Sequence, residues 1–464
     1  MSDKRFENYI NRDKLYGLLD RGTPSEAELN NVLNKAKKLK GLSLEDVALL
    51  LRITDKANIH KIMEVAKYAK EEIYGKRLVL FAPIYTGNVC VNNCLYCAFR
   101  RDNKEIVRKV LDMSEIRRET ESLLKEGHKR ILLICGESPQ NGIDYICQAI
   151  RTTYAARYKN HSIRRINVEL APMSVEDFRK LKAEHIGTYV CFQETYDPVA
   201  YKIYHPAGTP KADYENRLLV MDRAMAGGID DVGLGVLFGL ADYRFEILAI
   251  MEHAAHLEKV FGCGPHTVSF PRIEPAQGVA LTEKVPHPVS DDDFKKIIAI
   301  IRIAMPYTGI ILSTRENDAI RNELINYGVS QISAGSRTNP GAYSEEKGTG
   351  SQFSLGDHRS LDEVISDMID GGFIPSFCTG CYRKGRVGND FMDLAKPGLI
   401  KQYCMPNGLF TFEEYLLDFA AENTRKKGFE LLHKMTTDIP DCQLKTTVQT
   451  TLQKIENGER DLYL

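Results

Sequence analysis

Two groups of three cysteines, far apart in the chain, are spaced as ligands of iron–sulfur clusters. They follow the patterns C-x3-C-x2-C and C-x2-C-x22-C, and their members are Cys90, Cys94 and Cys97, then Cys378, Cys381 and Cys404. A [4Fe–4S] cluster normally takes four thiolates, one for each iron. A group of three leaves one iron free to bind another molecule, so the sequence predicts two clusters at which chemistry can take place.

Size and composition exclude several classes of protein. The 464 residues suit a barrel of roughly 250 residues with additional segments. The formal net charge of −1 gives no electrostatic case for binding nucleic acid, and no apolar run approaches the ~20 residues that cross a bilayer. The first residues lack the apolar stretch of a signal peptide. We therefore expect a cytoplasmic protein that binds neither nucleic acid nor membrane, whose eleven cysteines serve metal binding or catalysis rather than disulfides.

Short runs of β-branched and aromatic residues alternate with amphipathic helical segments through the middle of the chain. Their continuous apolar character is typical of strands buried on both faces of a parallel sheet. Eight such strands, each followed by a helix, predict an α/β fold, a (β/α)8 TIM barrel. The predicted strands are Arg77–Tyr85, Arg130–Gly136, Arg165–Ala171, Thr188–Thr195, Asp231–Gly239, His266–Arg272, Gly309–Arg315 and Ser330–Ser336.

The flanking segments read as helical and suggest three domains. Helix punctuation places one barrel helix between Ser114 and Gly127, another after Ser174, and further helices at Lys211–Gly228 and Asp242–Lys259. A loop is predicted over 339–357, followed by a helix over 360–370. We expect an N-terminal helical segment (1–75), the barrel (76–371) and a C-terminal helical domain (372–464) that holds the second cluster.

The first cysteine group directly follows the first predicted strand. Barrel enzymes carry their catalytic groups on the loops that follow the strands. A closed structural zinc site would need a fourth ligand, and none is evident nearby. Three unrelated buried cysteines are the alternative, which the close C-x3-C-x2-C spacing disfavours.

The segment CVNNCLYC resembles the signature of the radical S-adenosylmethionine (SAM) enzymes. In that family the free iron binds the amino and carboxylate groups of SAM, and an electron from the cluster cleaves the sulfonium to give a 5′-deoxyadenosyl radical. The resemblance implies that Cys90, Cys94 and Cys97 are catalytic, that SAM is a cofactor, and that an external electron donor is needed.

The same resemblance implies a set of SAM-binding residues. Tyr96, just before the third cysteine, is expected beside the adenine. The segment Cys135-Gly136-Glu137 is similar to the family's G-G-E segment, with Cys135 in place of the first glycine. Further expected SAM ligands, near the ends of strands three and four and in the segment beyond, are Glu169, Glu194 and Arg217.

A narrower resemblance covers the whole chain and concerns the aromatic amino acid lyases of this family. It is carried by QETYDPVAYKIYHPAGTPKADYENRL, PHTVSFPRIEPA and LSTRE. It implies that L-tyrosine is cleaved between Cα and Cβ to p-cresol and dehydroglycine.

An amino acid substrate needs a cation for its carboxylate, preferably a bidentate one. Arg315, at the end of strand seven, is the expected partner, and Ser333 or Ser336 would add a hydrogen bond. Arg272, at the end of strand six, is the alternative cation. The structural alternative for Arg315 is an ion pair with Glu316 or with another carboxylate at the rim.

The second cysteine group separates two branches of these lyases. It resembles the tyrosine lyases of [FeFe]-hydrogenase maturation, in which dehydroglycine is broken down to carbon monoxide and cyanide. These are captured on iron as an Fe(CO)2(CN) unit that maturation proteins receive for H-cluster assembly. The resemblance implies a second [4Fe–4S] cluster on Cys378, Cys381 and Cys404. Cys442 as a fourth ligand is an alternative that would close this cluster.

His266 stands at the start of strand six, at the opposite mouth of the barrel from SAM. A lone histidine there is more often a structural residue, but the resemblance implies that it binds an additional iron beside the second cluster. The small fragments would then pass through the barrel interior.

Two other functions stay open at this point. The first alternative is a 2-iminoacetate synthase of thiazole biosynthesis, in which the second cysteine group is structural. The second alternative is a non-catalytic iron–sulfur scaffold. The segments that resemble SAM-binding ones have no purpose in a scaffold.

Overall fold

The computed structural model describes residues 7–344, 350–396 and 398–464. Eight parallel strands form a closed barrel, because β1 pairs with β2 on one side and with β8 on the other. The predicted (β/α)8 barrel is therefore confirmed. The barrel strands are β1 (Arg77–Gly87), β2 (Arg130–Cys135), β3 (Arg165–Glu169), β4 (Thr188–Val190), β5 (Asp231–Gly235), β6 (Thr267–Ser269), β7 (Gly309–Leu312) and β8 (Gln331–Ser333).

Most strands are shorter than the sequence predicts at their C-terminal ends. After β4 the backbone of Glu194 adopts φ +71°, which a regular strand does not tolerate. After β6, Pro271 has no backbone N–H to donate to a neighbouring strand. The chain therefore leaves the sheet early at this mouth, and the freed residues build the loops above the barrel.

Helices surround the barrel and follow the predicted alternation, with two corrections. The first barrel helix begins after Asp112 rather than at Ser114, because Asp112 and Glu115 form a capping box. The segment 211–228 is two short helices rather than one. The helices of this layer are α5 (Met113–Glu126), α6 (Ile143–Ala155), α7 (Val175–Ala183), α8 (Pro198–Tyr204), α9 (Tyr214–Leu218), α10 (Val220–Ala226), α11 (Tyr243–Phe261), α12 (Asp291–Ala304), α13 (Asp318–Tyr327) and α14 (Leu361–Asp370).

The N-terminal segment packs on the outside of the barrel through its apolar faces. Its helices are α1 (Arg12–Leu19), α2 (Glu26–Ala36), α3 (Leu44–Leu51) and α4 (Lys56–Tyr74). The side chains of Leu50, Ile62 and Ala66 are fully buried and join the barrel core. Residues 1–6 of this predicted segment lie outside the described residues.

The C-terminal region adds a ninth strand at the amino-terminal mouth of the barrel. This strand, β9 (Ile374–Ser376), runs parallel to the first residues of β1 and was not predicted. It is followed by α15 (Gly380–Arg383), α16 (Gly388–Ala395), α17 (Lys401–Asp418), α18 (Glu422–Thr437) and α19 (Cys442–Glu456).

The predicted loop over 339–357 has no helix or strand in its described parts, and residues 345–349 lie outside them. Among the described residues, no helix combines the length and the apolar character needed to cross a membrane.

Candidate active site

The first cysteine group lies on the loop between β1 and α5, at the carboxyl-terminal mouth of the barrel. A tight turn places the backbone N–H of Cys97 3.2 Å from the carbonyl oxygen of Cys94. The guanidinium of Arg108 holds the loop by donating to four backbone carbonyls, those of Asn88, Phe99, Arg100 and Asn103. As a result, Cys90, Cys94 and Cys97 line one cavity.

The thiols of this group suit a cationic ligand. Burial raises the pKa of Cys94, and burial together with the neighbouring Cys94 raises the pKa of Cys97 to about 12. Such thiols stay protonated at neutral pH unless positive charge lies beside them. Iron supplies that charge, so the three thiols fit a [4Fe–4S] cluster with one free iron.

The predicted SAM-binding residues Gly136 and Glu137 lie on the same cavity, after β2. A Cβ at position 136 would collide with the carbonyl oxygen of Val89, so only glycine lets the two loops approach this closely. The carboxylate of Glu137 accepts a hydrogen bond of 2.6 Å from the side chain of Asn92. Glu137 therefore fixes the cysteine loop as well as facing the cavity.

Charged side chains from the end of β3 and from the segment after β4 form another part of the wall of this cavity. Lys211 donates to Glu194 at 2.6 Å, and Arg217 lies 3.8 Å from the same carboxylate. Burial opposes ionisation of Glu194, but Lys211 and Arg217 together lower its pKa. Burial, reinforced by Glu194, raises the pKa of Glu169 to about 7. The wall thus offers two cations and two carboxylates, as a zwitterionic ligand such as SAM requires.

Tyr96 lines both this cluster cavity and a separate cavity in the centre of the barrel, the central cavity. Its hydroxyl is 2.8 Å from Nε2 of His205. Burial lowers the pKa of His205 to about 2, so the imidazole is neutral and the pair is an uncharged hydrogen bond. Tyr96 is therefore held in place without adding charge beside the cluster cavity.

The central cavity contains the predicted substrate residues Arg315, Ser333 and Ser336. The guanidinium of Arg315 lies 3.4 Å from the centroid of the Phe353 ring. In the described part of the chain it forms no ion pair of 4 Å or less. Burial lowers the pKa of Arg315, as expected for a buried cation that forms no ion pair with the described residues.

Arg272, the alternative cation for the substrate, is engaged elsewhere. It donates to both carboxylate oxygens of Glu316 and, at 2.7 Å, to Asp291. Arg272 is not among the described residues that line the central cavity. The alternative ion pair of Arg315 with Glu316 is also wrong, because Glu316 is taken by Arg272. Arg315 is therefore the one arginine or lysine among the described residues that line this cavity.

The second cysteine group lies at the other mouth of the barrel. Cys378 follows β9, Cys381 is in α15 and Cys404 is in the first turn of α17, and all three line one cavity. The guanidinium of Arg130, the first residue of β2, donates to the carbonyl of Cys378 at 2.6 Å. The cysteine loop is thus tied to the strand starts.

Electrostatics at this cavity again favour a cationic centre. A hydrogen bond from Cys381 lowers the pKa of Cys404, and the same bond raises the pKa of Cys381. Binding of iron would displace the protons of these thiols. These three thiols fit a cluster of the same open kind.

The structure brings His266 to this second cavity. Its ring lies 4.8 Å from that of Phe391, and its Nδ1 is 3.6 Å from Asp231, too far for a hydrogen bond. Nδ1 of His266 is a buried atom with no hydrogen-bond partner among the residues that the structure describes. A buried nitrogen without a partner is costly, and a metal ion beside the cluster is one ligand that would satisfy it.

Of the other cysteines, Cys135 and Cys191 also line the first cavity, whereas Cys147 and Cys263 are buried and line neither cysteine cavity. Cys442 is exposed at the start of α19, and it does not line the described second cavity. Among the described residues, no three His, Cys, Asp or Glu side chains converge closely enough to hold a single metal ion. A cubane gives each thiolate its own iron and does not need such convergence.

Comparisons with known proteins define the class of protein. The profile of the Radical SAM superfamily matches residues 84–254, and that of the Biotin and Thiamin Synthesis associated domain matches residues 269–374. The 2-iminoacetate synthase of Salmonella typhimurium is 31% identical over 354 residues, covering 75% of this chain and 89% of that enzyme. The chain therefore belongs to the radical SAM enzymes, in the family that contains 2-iminoacetate synthase and the maturase HydG.

Solved structures carry the likeness to HydG. A crystal structure of HydG, a maturase of the [FeFe]-hydrogenase, is 48% identical, covers 99% of this chain and 100% of its own, and has a TM-score of 0.96. HydG from Carboxydothermus hydrogenoformans is 41% identical, covers 95% of this chain and 97% of its own, and has a TM-score of 0.83. The resemblance predicted from the sequence is confirmed, and the chain is a radical SAM lyase.

Several cavity residues were not predicted from the sequence, and three of them connect neighbouring groups or cavities. Lys211 pairs with Glu194, Gln352 lines both the cluster cavity and the central cavity, and Gln331 lines both the central cavity and the second cysteine cavity. Lys211 lies in the quoted segment GTPKADYENRL, which was the only available signal. The two glutamines have no motif, because their positions depend on the closed barrel.

Proposed function

We propose that this chain cleaves L-tyrosine between Cα and Cβ to p-cresol and dehydroglycine. The observation that carries the proposal is the position of Arg315, which forms no ion pair with the described residues, in a central cavity that adjoins the cluster cavity through Tyr96 and Gln352. Arg315 is a bidentate partner for the substrate carboxylate, placed where a bound tyrosine also meets the radical source.

The first cysteine group would hold the [4Fe–4S] cluster, and Gly136, Glu137, Glu169, Glu194 and Arg217 would hold SAM. When bound, the cluster and SAM supply a 5′-deoxyadenosyl radical that removes a hydrogen atom from the substrate. The residues of this chain bind, orient and protect. Ser333 and Ser336 add hydrogen-bond donors near Arg315, and the apolar part of the wall accepts the ring and excludes water; it includes Leu132, Ile134, Val190, Phe192 and Leu237.

We further propose that dehydroglycine is converted to carbon monoxide and cyanide, which are captured on iron as an Fe(CO)2(CN) unit for H-cluster assembly. Cys378, Cys381 and Cys404 would hold the second [4Fe–4S] cluster, and His266 the additional iron. The buried Nδ1 of His266, which has no hydrogen-bond partner in the described part of the chain, supports this role. Gln331 supports a passage through the barrel, because it lines both the central cavity and the cavity of the second cysteine group.

An external electron donor and the maturation proteins that receive the product complete the proposal. A cytoplasmic location and the division into an N-terminal segment (1–75), barrel (76–371) and C-terminal cluster domain (372–464) are also part of it. The contacts between β9 and β1 mean that the third domain would share the barrel sheet.

One anaerobic assay tests the proposed function. Reconstituted protein is incubated with SAM, dithionite and tyrosine, and p-cresol, 5′-deoxyadenosine and iron-bound carbon monoxide and cyanide are measured. We expect all of these products. Absence of p-cresol would support an iron–sulfur scaffold, and p-cresol with only glyoxylate-type products would support a 2-iminoacetate synthase.

A further inference from the structure

Gln352 stands between the central cavity and the cluster cavity and is part of the wall of both. Its backbone N–H is fixed by a 2.9 Å hydrogen bond to the carbonyl of Thr338. Its side chain makes one contact on each side. The hydroxyl of Tyr85 donates to Oε1 at 2.8 Å, and Nε2 donates to the sulfur of Cys97 at 3.8 Å.

The amide has one orientation that satisfies both neighbours. A cluster thiolate only accepts hydrogen bonds, so it must face Nε2, which leaves Oε1 for the hydroxyl of Tyr85. Tyr85 itself is buried, and its ring packs edge-on against Phe99 with centroids 5.9 Å apart. Tyr85 belongs to the wall of the central cavity. A molecule bound in that cavity therefore contacts a hydrogen-bonded chain that ends on a cluster ligand.

Hydrogen bonds to the sulfurs are among the factors that set the reduction potential of an iron–sulfur cluster. A donor stabilises the more negative, reduced state and so raises the potential. The Gln352–Cys97 contact of 3.8 Å is long for such a bond, so it can strengthen if the amide is pressed towards the sulfur. A substrate packed against Tyr85 would hold the hydroxyl of Tyr85, and with it the Gln352 amide, closer to the sulfur of Cys97.

We propose that Gln352 is a positioning residue that couples occupancy of the central cavity to the reduction potential of the cluster on Cys90, Cys94 and Cys97. Substrate binding strengthens the hydrogen bond to Cys97 and raises the potential, so the cluster accepts an electron more readily when tyrosine is present. This inference rests on the proposed function, because it takes tyrosine as the occupant of the cavity.

The test is an anaerobic redox titration followed by electron paramagnetic resonance, with and without tyrosine, in the absence of SAM. The first cluster is identified by its spectral change when SAM is added to a parallel sample. In the unchanged protein we expect tyrosine to shift the midpoint to a more positive potential. Gln352→Met keeps the side-chain length but removes the donor. We expect a more negative midpoint in this variant, and no shift on addition of tyrosine.

The matched control is Gln277→Met, because Gln277 is an exposed glutamine whose amide donates to the carbonyl of Glu105 at 3.2 Å. It should behave as the unchanged protein. Tyr85→Phe keeps the donor to Cys97 but breaks the link to the cavity. Without tyrosine its midpoint should stay near that of the unchanged protein, and the shift with tyrosine should disappear. This variant decides the question if Gln352→Met does not take up its cluster.

Formation of p-cresol is measured in the same preparations. If the unchanged protein makes p-cresol but Gln352→Met keeps both its midpoint and its tyrosine shift, the inference is wrong and the proposed function stands. If Tyr85→Phe retains the shift, occupancy of the cavity is not coupled to the cluster through Tyr85 and Gln352, and the inference is wrong. If the unchanged protein makes no p-cresol, the proposed function fails and the inference falls with it.

Discussion

Replacing Arg315 by glutamine should weaken tyrosine binding while leaving the chemistry of SAM intact. Arg315 is the cation of the central cavity, and its guanidinium rests on Phe353 rather than on a carboxylate. A hydrogen bond to a charged group contributes about 1.5–3 kcal/mol. Loss of one such bond at the upper half of this range, about 2–3 kcal/mol, corresponds to a roughly 30- to 150-fold fall in kcat/KM for tyrosine.

The assay is the rate of p-cresol formation as a function of tyrosine concentration, with 5′-deoxyadenosine measured in parallel. Arg315→Gln should raise KM, and release of 5′-deoxyadenosine without tyrosine should stay near that of the unchanged protein. Arg315→Lys should recover part of the loss, because a lysine supplies the charge but not the bidentate fork.

Arg272→Gln is the matched control, because Arg272 is also an arginine near the carboxyl-terminal mouth but is paired with Glu316 and Asp291. It should cost folding stability and leave KM for tyrosine nearly unchanged. A normal KM in Arg315→Gln together with a large rise in Arg272→Gln would refute the assignment of the substrate carboxylate to Arg315.

Two further predictions concern the second cluster and a buried carboxyl group. His266→Ala should still make p-cresol but lose the cyanide-bearing iron product seen by infrared spectroscopy; loss of p-cresol as well would contradict the division of labour between the two mouths. Burial raises the pKa of Glu246 in the folded protein to about 8, against 4.5 for an unperturbed carboxyl, so its contribution to stability is full below about pH 4.5 and is lost as the pH rises to 8. Glu246→Gln should therefore reduce the change of the unfolding free energy between pH 5 and 8 by at least about 1 kcal/mol, the equivalent of one pKa unit. The control Glu215→Gln, at an exposed position, should leave this change as it is. An unchanged pH dependence in Glu246→Gln would contradict the raised pKa of Glu246.

The barrel is predictable from the sequence because most of its strands are short runs buried on both faces, although β3 (Arg165–Glu169) alternates between buried and half-buried residues. The strand ends are not, because they depend on single backbone features such as the φ of +71° at Glu194. β9 was missed because it has only three residues, one of which is Pro375, and it exists because β1 offers it an edge.

The cysteine groups are equally visible because their ligands are close in sequence or follow a known spacing. The residues between the cavities are not visible in this way. Gln352 and Cys97 are 255 positions apart. Only closure of the barrel brings such residues together, so no local pattern could indicate them.

The measurement that tests the central claim most directly separates the two cysteine groups. Tyrosine labelled with carbon-13 is given to the unchanged protein and to a variant in which Cys378, Cys381 and Cys404 are all serine. The variant should keep the first cluster and make p-cresol at a rate close to that of the unchanged protein. It should show none of the infrared bands of labelled carbon monoxide and cyanide on iron. Persistence of those bands in the variant, or loss of p-cresol while the first cluster is intact, would contradict the assignment of two tasks to the two mouths of the barrel.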